Sequence, residues 1–260
     1  MKKANEQKKN RLGEEVFNYQ KCLMKIVEYN KHNDIVVEFQ DEYKCKVRTR
    51  YKLFLEGKIK NPYYPSVFKI GIIGNKYPVK IDGKISKEYN TWNGMLRRCY
   101  DKKYQSNKPT YQNVTCCKEW LCFENFYEWL HSQENFDKWY NGDLWAIDKD
   151  IIVKGNKVYS PETCCLVPPN INSLFIKCNA VRGNLPIAVQ RHGKKYRACF
   201  TLFNKYTILP VKDTKEKAFL DYKIIKENAI RQVAQEEYNN GIITKECYNA
   251  MMKYEVEIDD

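Results

Sequence analysis

The sequence predicts an α+β protein made of several small modules, each built around its own sheet. Three patterns lead to this fold class. β-Branched and aromatic residues fill Asp34–Phe39, which is typical of a strand. A strand, a long polar loop, a second strand and a helix follow one another between Trp145 and Asn172. Three short strands and then a helix follow between Leu185 and Tyr222.

The chain of 260 residues is long enough for one to three small domains. Its formal net charge of +13 indicates a polyanionic partner, most simply nucleic acid, although a basic protein without such a partner has the same composition. No apolar run approaches the ~18 residues that a membrane-spanning helix needs. The sequence also opens without a hydrophobic signal segment. We therefore expect a cytoplasmic protein with no membrane partner.

The eleven cysteines are many for a chain of this length. An odd number fits poorly with a complete disulfide framework, and a protein that is not secreted keeps its thiols reduced. The spacing of Cys117 and Cys122 falls within the range of a zinc pair, but no second pair has that spacing. We therefore expect buried thiols that pack as small hydrophobic side chains, and no structural Zn²⁺.

Basic residues concentrate between residues 44 and 60, where seven Lys and Arg accompany one acidic residue. Four of them alternate with other residues, so a strand would place all four on one face. Such a face suits contacts with DNA phosphates, because each bound lysine or arginine releases condensed counterions. The four alternating basic residues are Lys44, Lys46, Arg48 and Arg50. The alternative is a strand face that contacts only solvent. Turn-forming Pro and Gly residues then mark the end of this first module near residue 88.

Two helices are predicted between residues 91 and 131. The first has Thr91 as its N-cap and exposes Arg97 and Arg98, two further candidates for DNA contact. The second spans about Phe123 to His131. Helical spacing explains the apolar side chains of both helices as core residues. These are Trp92, Met95, Leu96, Cys99, Phe123, Phe126, Tyr127 and Leu130.

Three motifs stand in order within residues 90–175. The motif W-x-x-M-x-x-R-C-Y covers residues 92–100, W-x-x-F-x-x-F covers 120–126, and D-K-D…Y-S-P-E-x-C covers 148–164. In this order they resemble the HNH-type homing endonucleases and their relatives carried by bacteriophages. The resemblance implies a ββα-metal module at residues 89–181.

The resemblance also implies a divalent cation, Mg²⁺ or Mn²⁺, held by Asp148 at the end of the first strand and Asn172 on the helix. Lys149 falls at the position of the general base and Thr163 at that of the residue that orients it. Both depart from the histidine and asparagine of the active pattern. A lysine accepts a proton only if its pKa is depressed by several units; protonated, it stabilises a phosphate instead. Asp150, two residues from Asp148 on the same strand face, is the alternative base or a second ligand. An exposed turn is the other interpretation of this Asp-Lys-Asp run.

Residues 182–260 form the third predicted module. Its strands are Leu185–Arg191, Tyr196–Phe203 and Thr207–Val211, and a helix follows with Thr214 as its N-cap. The segments K-K-Y-R-A on the hairpin and E-K-A-F-x-x-Y on the helix resemble the APETALA-type DNA-binding domain. The resemblance implies a small sheet that lies in the major groove of DNA.

Charge in this third module agrees with that resemblance. Residues 191–226 carry ten Lys and Arg against three Asp and Glu, whereas residues 227–260 carry three against eight. The tail is therefore better suited to capping the module or to a protein partner than to DNA. The candidate DNA contacts are Arg191, Lys194, Lys195, Arg197 and Lys205.

The modules 1–88, 89–181 and 182–260 together predict a phage or mobile-element endonuclease that cleaves double-stranded DNA with a divalent metal. A phage-encoded enzyme of this kind acts in the host cytoplasm. Two alternatives remain: a non-cleaving DNA-binding or regulatory protein on the same scaffold, and a phage protein that binds and blocks a host protein. The lack of a histidine base favours these alternatives. Four oxygen-bearing side chains favour cleavage, namely Asp148, Asp150, Asn170 and Asn172.

Overall fold

The computed structural model describes residues 11–176 and 184–259, and the fold is mixed α+β with several small sheets, as predicted. The chain divides into two compact units. The first comprises Met1–Asp101 and Lys118–Tyr127, and the second comprises Lys102–Cys117 and Glu128–Asp260. No helix within the described ranges is both long and apolar enough to cross a membrane.

The first unit contains a four-stranded antiparallel meander, in which neighbours along the chain pair with each other. Side chains at alternate positions are buried, as strand geometry requires: Met24 and Ile26 on the second strand, and Ile35, Val37 and Phe39 on the third. The predicted bounds of the third strand are confirmed. The elements are β1 (Glu15–Phe17), β2 (Leu23–Lys31), β3 (Asp34–Phe39), β4 (Lys46–Thr49) and a short helix, α1 (Tyr51–Leu55).

A hairpin of β5 (Lys80–Ile81) and β6 (Lys84–Ile85) leads into helix α2 (Lys87–Tyr100). The prediction that Thr91 caps this helix is wrong. Ser86 is the N-cap, since its hydroxyl accepts a hydrogen bond from the amide of Tyr89 at 3.1 Å. Thr91 lies inside the helix and donates to the carbonyl of residue 87 at 2.8 Å. The predicted core face is confirmed, with Trp92, Met95, Leu96 and Cys99 buried.

Helix α4 (Phe123–His131) has the predicted bounds. Its first residue is anchored within the first unit, because the amide of Phe123 donates to the carbonyl of Ile72 at 2.8 Å. The indole of Trp92 donates to the carbonyl of Trp120 at 2.7 Å, just before the helix begins. Phe123, Phe126 and Leu130 are fully buried, which confirms the core role predicted for them.

The second unit contains the strand, loop, strand and helix in the predicted order. β8 (Ala146–Asp148) and β10 (Cys165–Val167) pair antiparallel, with Asp148 opposite Cys165, and α6 (Pro169–Leu174) follows. Within the long loop, β9 (Val158–Tyr159) pairs in parallel with β7 (Thr115–Cys116). The remaining short helices of this part of the chain are α3 (Lys102–Asn107) and α5 (Phe136–Asn141).

The C-terminal part forms the predicted three-stranded antiparallel sheet and helix. Thr214 caps the helix as predicted, because its hydroxyl accepts from the amide of Lys217 at 3.2 Å. The first strand begins only at Val189, since Pro186 has no amide to donate and its carbonyl accepts from Val189 in a turn at 3.1 Å. The elements are β11 (Val189–His192), β12 (Lys195–Leu202), β13 (Lys205–Ile208), α7 (Lys215–Asn239) and α8 (Lys245–Met252).

One hydrophobic core joins β8, β10 and α6 to the last two helices, and so spans the stretches predicted as a nuclease module and a C-terminal module. The predicted boundary at residues 181/182 lies outside the described ranges, and that at 88/89 falls at the start of α2. The C-terminal sheet packs on α7 in a core of its own, whereas β8, β10 and α6 depend on the shared core. Its buried members are Ile151, Cys165, Val167, Ile171, Leu174, Ile230, Val233, Ala234, Ile243, Cys247 and Met251.

A buried asparagine fastens the two sides of this core. The amide of Asn135 donates to the carbonyl of Leu166 on β10 at 3.0 Å and to the carbonyl of Ile242, between α7 and α8, at 2.9 Å. Asn135 is only 3% exposed. The buried carbonyl of Leu166 needs a donor, and the same side-chain amide also serves the part-buried carbonyl of Ile242.

We predict that Asn135→Ala lowers the free energy of unfolding by about 2 kcal/mol or more, because two carbonyls lose their donor. Urea unfolding followed by circular dichroism measures the change. Asn141→Ala is the matched control, since the exposed Asn141 makes one local hydrogen bond, to the carbonyl of Asp137. Equal stability of the two variants would contradict the role assigned to Asn135.

Candidate functional site

The predicted site is built where β8 ends, opposite the start of β10 and beside α6. Asp148 is the last residue of β8, and Pro168 separates β10 from α6. Helix α6 packs against β8. The two residues predicted to hold a cation, Asp148 and Asn172, therefore lie on neighbouring elements of the second unit.

The carboxylate of Asp148 ends its own strand. Its Oδ1 atom accepts hydrogen bonds from the amides of Asp150 at 2.7 Å and Ile151 at 2.8 Å, which turns the chain away from the sheet. Within the described residues, its Oδ2 atom has no hydrogen-bond partner. Burial raises the pKa of Asp148; the two amides lower it and the nearby Asp150 raises it further.

Lys149, predicted at the position of the general base, is buried and its ammonium group is hydrogen-bonded. It is 6% exposed, and its Nζ donates to Oδ2 of Asp150 at 2.6 Å and to the carbonyl of Asn156 at 3.0 Å. Its ammonium also lies 5.9 Å from the ring centre of Tyr159. These contacts hold the lysine against the loop.

The prediction that Asp150 shares a strand face with Asp148 is wrong, because β8 ends at Asp148 and period-two alternation stops there. The carboxylate of Asp150 turns to Lys149 instead. About half of its side chain is exposed, at 47% against 7% for that of Lys149. Lys149 fixes Oδ2 of Asp150, whereas Oδ1 has no hydrogen-bond partner among the described residues.

The sequence interpretation missed Asn156, which organises the loop between β8 and β10. Its side-chain amide donates to the carbonyls of Lys149 at 2.9 Å and Val158 at 2.6 Å. Thr163, predicted at the orienting position, donates to the same carbonyl of Val158 at 2.8 Å and so also closes this loop. The Gly155-Asn156 pair was the available signal, because such a pair is typical of a turn.

No histidine takes part in the site. The hydrogen bonds of Asp148, Lys149 and Asp150 include none. The ring of His131 packs on that of Phe136, with centroids 4.0 Å apart. The side chain of Asn172 on α6, by contrast, has no hydrogen-bond partner among the described residues.

Metal ligands are sparse in the described part of the chain. No group of three or more His, Cys, Asp or Glu side chains there could hold an ion. Oδ2 of Asp148 and the amide of Asn172 remain uncommitted among the described residues, as does Oδ1 of Asp150. Two such oxygens fit Mg²⁺ or Mn²⁺, which complete their coordination with water and phosphate oxygens. The described cysteines form no disulfide, and seven of them are buried as predicted: Cys45, Cys99, Cys116, Cys164, Cys165, Cys199 and Cys247.

The basic face predicted on the first sheet is smaller than expected. Only Lys46 and Arg48 lie on β4, whereas Lys44 occupies a turn with φ of 48° and Arg50 precedes α1. Acidic neighbours offset both strand residues. Lys46 lies 3.8 Å from Glu38, and Arg48 lies 3.1 Å from Asp34 and 3.6 Å from Glu28. This offset weakens the prediction of a phosphate-binding face.

The arginines predicted to project from α2 differ in exposure. The side chain of Arg97 is 56% exposed, and its Nε lies 3.7 Å from the carboxylate of Asp101 one turn later. Arg98 is half-buried. Arg97 is therefore the more accessible of the two to a polyanion.

The C-terminal sheet separates its basic residues between two faces. Val189 and Ala198 are opposite each other and pack on α7, so Arg197, one position away, points to the other face together with Lys195. Arg191 pairs with Tyr196 on the helix-facing side, with its guanidinium 5.5 Å from the Tyr196 ring centre. The predicted DNA-contacting residues lie on both faces because side chains alternate along a strand.

The outer face of this sheet carries exposed polar side chains, whereas Arg197 on it is half-buried, and its buried Nε has no hydrogen-bond partner among the described residues. Lys195 is exposed, and the carboxylate of Asp213 at 2.8 Å raises its pKa. Lys194 lies exposed in the turn between β11 and β12, and Lys205 is exposed at the start of β13. Strand pairing adds side chains that the sequence interpretation missed on this face, namely Gln190, His192, Thr201, Tyr206 and Ile208.

Comparison with known proteins gives no match to a family model, a curated protein or a solved structure.

We predict that Asp148→Asn raises the thermal stability of the protein at neutral pH in EDTA. Because the pKa of Asp148 is raised in the folded protein, its carboxyl contributes stability at pH values below its unperturbed pKa of 3.8. That contribution is lost as the pH rises through the pKa of the folded state. Asparagine keeps the Oδ1 acceptor and has no charge. Differential scanning calorimetry should show the gain at neutral pH and a smaller gain near pH 3.8.

The exposed Asp143 supplies the control, because Asp143→Asn removes the same charge outside the site. Its melting temperature should change little at either pH. A lower melting temperature of Asp148→Asn than of the wild type at neutral pH would contradict the burial argument.

Proposed function

We propose that this chain is a metal-dependent DNA endonuclease of HNH type. The observation that carries the proposal is the pair of uncommitted oxygen donors, Oδ2 of Asp148 and the amide of Asn172, on a strand end and the adjacent helix. Their neighbours in the loop are all engaged with one another, as Lys149, Asp150 and Asn156 are. The order of β8, β10 and α6 supports the same proposal.

The chain's own residues take distinct roles in this proposal. Asp148 and Asn172 would hold Mg²⁺ or Mn²⁺, which supplies charge stabilisation to the phosphate undergoing cleavage. Asp150 is the general base, because its Oδ1 has no hydrogen-bond partner among the described residues while Lys149 fixes its Oδ2 at 2.6 Å. Lys149 then acts as a positioning residue, although it falls at the position of the general base. Burial around Asp148 strengthens its attraction for a cation.

The outer face of the C-terminal sheet supports a DNA substrate. It combines the basic Lys195 and Arg197 with amide and hydroxyl side chains on a surface of three short strands. Arginine and lysine contact phosphates or the acceptor edge of guanine, and amide groups contact adenine. The excess of basic residues in the whole chain, with a net charge of +13, supports duplex DNA as the partner.

A second candidate function is DNA binding without cleavage. It is favoured by the engagement of Lys149 with Asp150, which leaves a carboxylate in place of the usual histidine base. The third alternative, a protein that blocks a host protein through its tail, loses part of its basis. Helix α8 of the tail places Cys247 and Met251 in the shared core instead of on the surface.

We predict that the wild-type protein nicks supercoiled plasmid in Mn²⁺ or Mg²⁺ and not in EDTA. Asp148→Asn should reduce nicking below detection, since its carboxylate is the only charged ligand proposed. Asp150→Asn should reduce the rate by about 100-fold or more, as expected for loss of a general base. Gel assays measure both, and Asp143→Asn is the control with full activity expected.

Lys149→Met separates positioning from base catalysis. A positioning lysine leaves the pH profile of the residual activity unchanged, whereas loss of a base removes one limb of that profile. Nicking by Asp148→Asn at the wild-type rate would exclude the proposed site. Absence of nicking by the wild type with either cation, with duplex binding intact, would favour the second candidate.

We predict that Arg197→Glu weakens duplex DNA binding by about 1 kcal/mol or more and reduces the dependence of affinity on salt. Fluorescence anisotropy over a salt series measures both quantities. Lys245→Glu is the control, because it makes the same change of charge on the exposed start of α8. Equal effects of the two variants would show that the outer face of the sheet makes no specific contact.

A further inference from the structure

A separate cleft lies in the second unit between α6, the β12–β13 hairpin and α7, and its volume is about 440 Å³. This size falls within the range of about 300–1,000 Å³ that is typical of small-molecule sites. Neither Asp148 nor Asn172 lines it, so the cleft is distinct from the candidate metal site. Its polar and aromatic lining consists of Asn170, Ser173, Thr201, Phe203, Asn204 and Lys226.

Lys226 is a cation without a counter-charge in this cleft. It is half-buried, and it has neither a hydrogen-bond nor an ion-pair partner among the described residues. Burial alone lowers its pKa. The carboxylate of Glu237 is already engaged with the amide of Asn170 at 2.6 Å and does not line the cleft. A half-buried ammonium of this kind is stabilised when an anion enters.

Phe203 adds an aromatic surface at the mouth of the cleft. It occupies the first position of the two-residue turn between β12 and β13, with φ of 51° there and 59° at Asn204. Asparagine and glycine are the usual residues in such a turn, and a bulky side chain with positive φ is strained. The ring is nevertheless 58% exposed. Backbone strain is concentrated at functional sites, and here it accompanies an exposed ring beside the cleft.

We infer that this cleft binds one nucleotide unit, with its phosphate on Lys226 and its base stacked on Phe203. The hydroxyls of Ser173 and Thr201 and the amide of Asn204 are suited to the sugar and the base edge. The ligand is either a free mononucleotide or one nucleotide of a single strand, since both present the same chemistry. The inference goes beyond the proposed cleavage of duplex DNA and does not depend on it.

Isothermal titration calorimetry of the full chain tests the inference with thymidine 5′-monophosphate, thymidine, inorganic phosphate and a short oligothymidylate. The monophosphate should bind at least about tenfold more tightly than thymidine or phosphate alone, because only it engages both groups. Lys226→Gln and Phe203→Asn should each weaken binding by about tenfold. Asparagine suits the positive φ, so the second variant keeps the turn intact.

Lys217→Gln, which removes an exposed lysine from the same helix, is the control that should bind as the wild type does. Tighter binding of the oligothymidylate than of the monophosphate would identify a single strand as the source, and the reverse would identify a free nucleotide. Failure of both to bind, or unchanged binding by Lys226→Gln, would overturn the inference. Duplex nicking measured in parallel shows whether the proposed function stands independently.

Discussion

The arrangement of the second unit depends on one shared hydrophobic core. Strands β8 and β10 contribute few residues, and α6 is short, so these elements cannot bury enough apolar surface alone. Helices α7 and α8 supply the rest, through Ile230, Val233 and Met251 among others. Asn135 fixes the register of the two sides with two hydrogen bonds. The position of Asp148 relative to α6 is thus set by residues far along the chain.

Two partly buried charged side chains stand out in this unit, Asp148 and Lys226. Burial raises the pKa of Asp148 and lowers that of Lys226, and both shifts disfavour the charged form. A fold selected for stability alone gains nothing from either charge. Each charge is explained if a ligand of opposite charge binds there. That ligand would be a cation at Asp148 and an anion at Lys226. The two sites would then bind opposite charges in different parts of one unit.

Local patterns predicted the elements well, and long-range contacts account for what they missed. The bounds of β3 and α4 follow from strand and helix periodicity, which the flanking residues do not disturb. Thr91 and Ser86 have the same capping chemistry, and the sequence alone does not show which of two nearby hydroxyl residues begins the helix. The order of β8, β10 and α6 was also predictable. The burial of Lys149 and its bond to Asp150 were not, because they depend on the loop that Asn156 organises.

The function proposed for this chain depends on a cation site at Asp148 and Asn172. Anomalous diffraction from crystals of the protein soaked in Mn²⁺ tests it most directly, because the signal locates the metal without reference to activity. The account predicts a peak in contact with Oδ2 of Asp148 and the side-chain oxygen of Asn172, which disappears in Asp148→Asn. No peak at these two side chains, in crystals where other carboxylates bind Mn²⁺, would contradict the account.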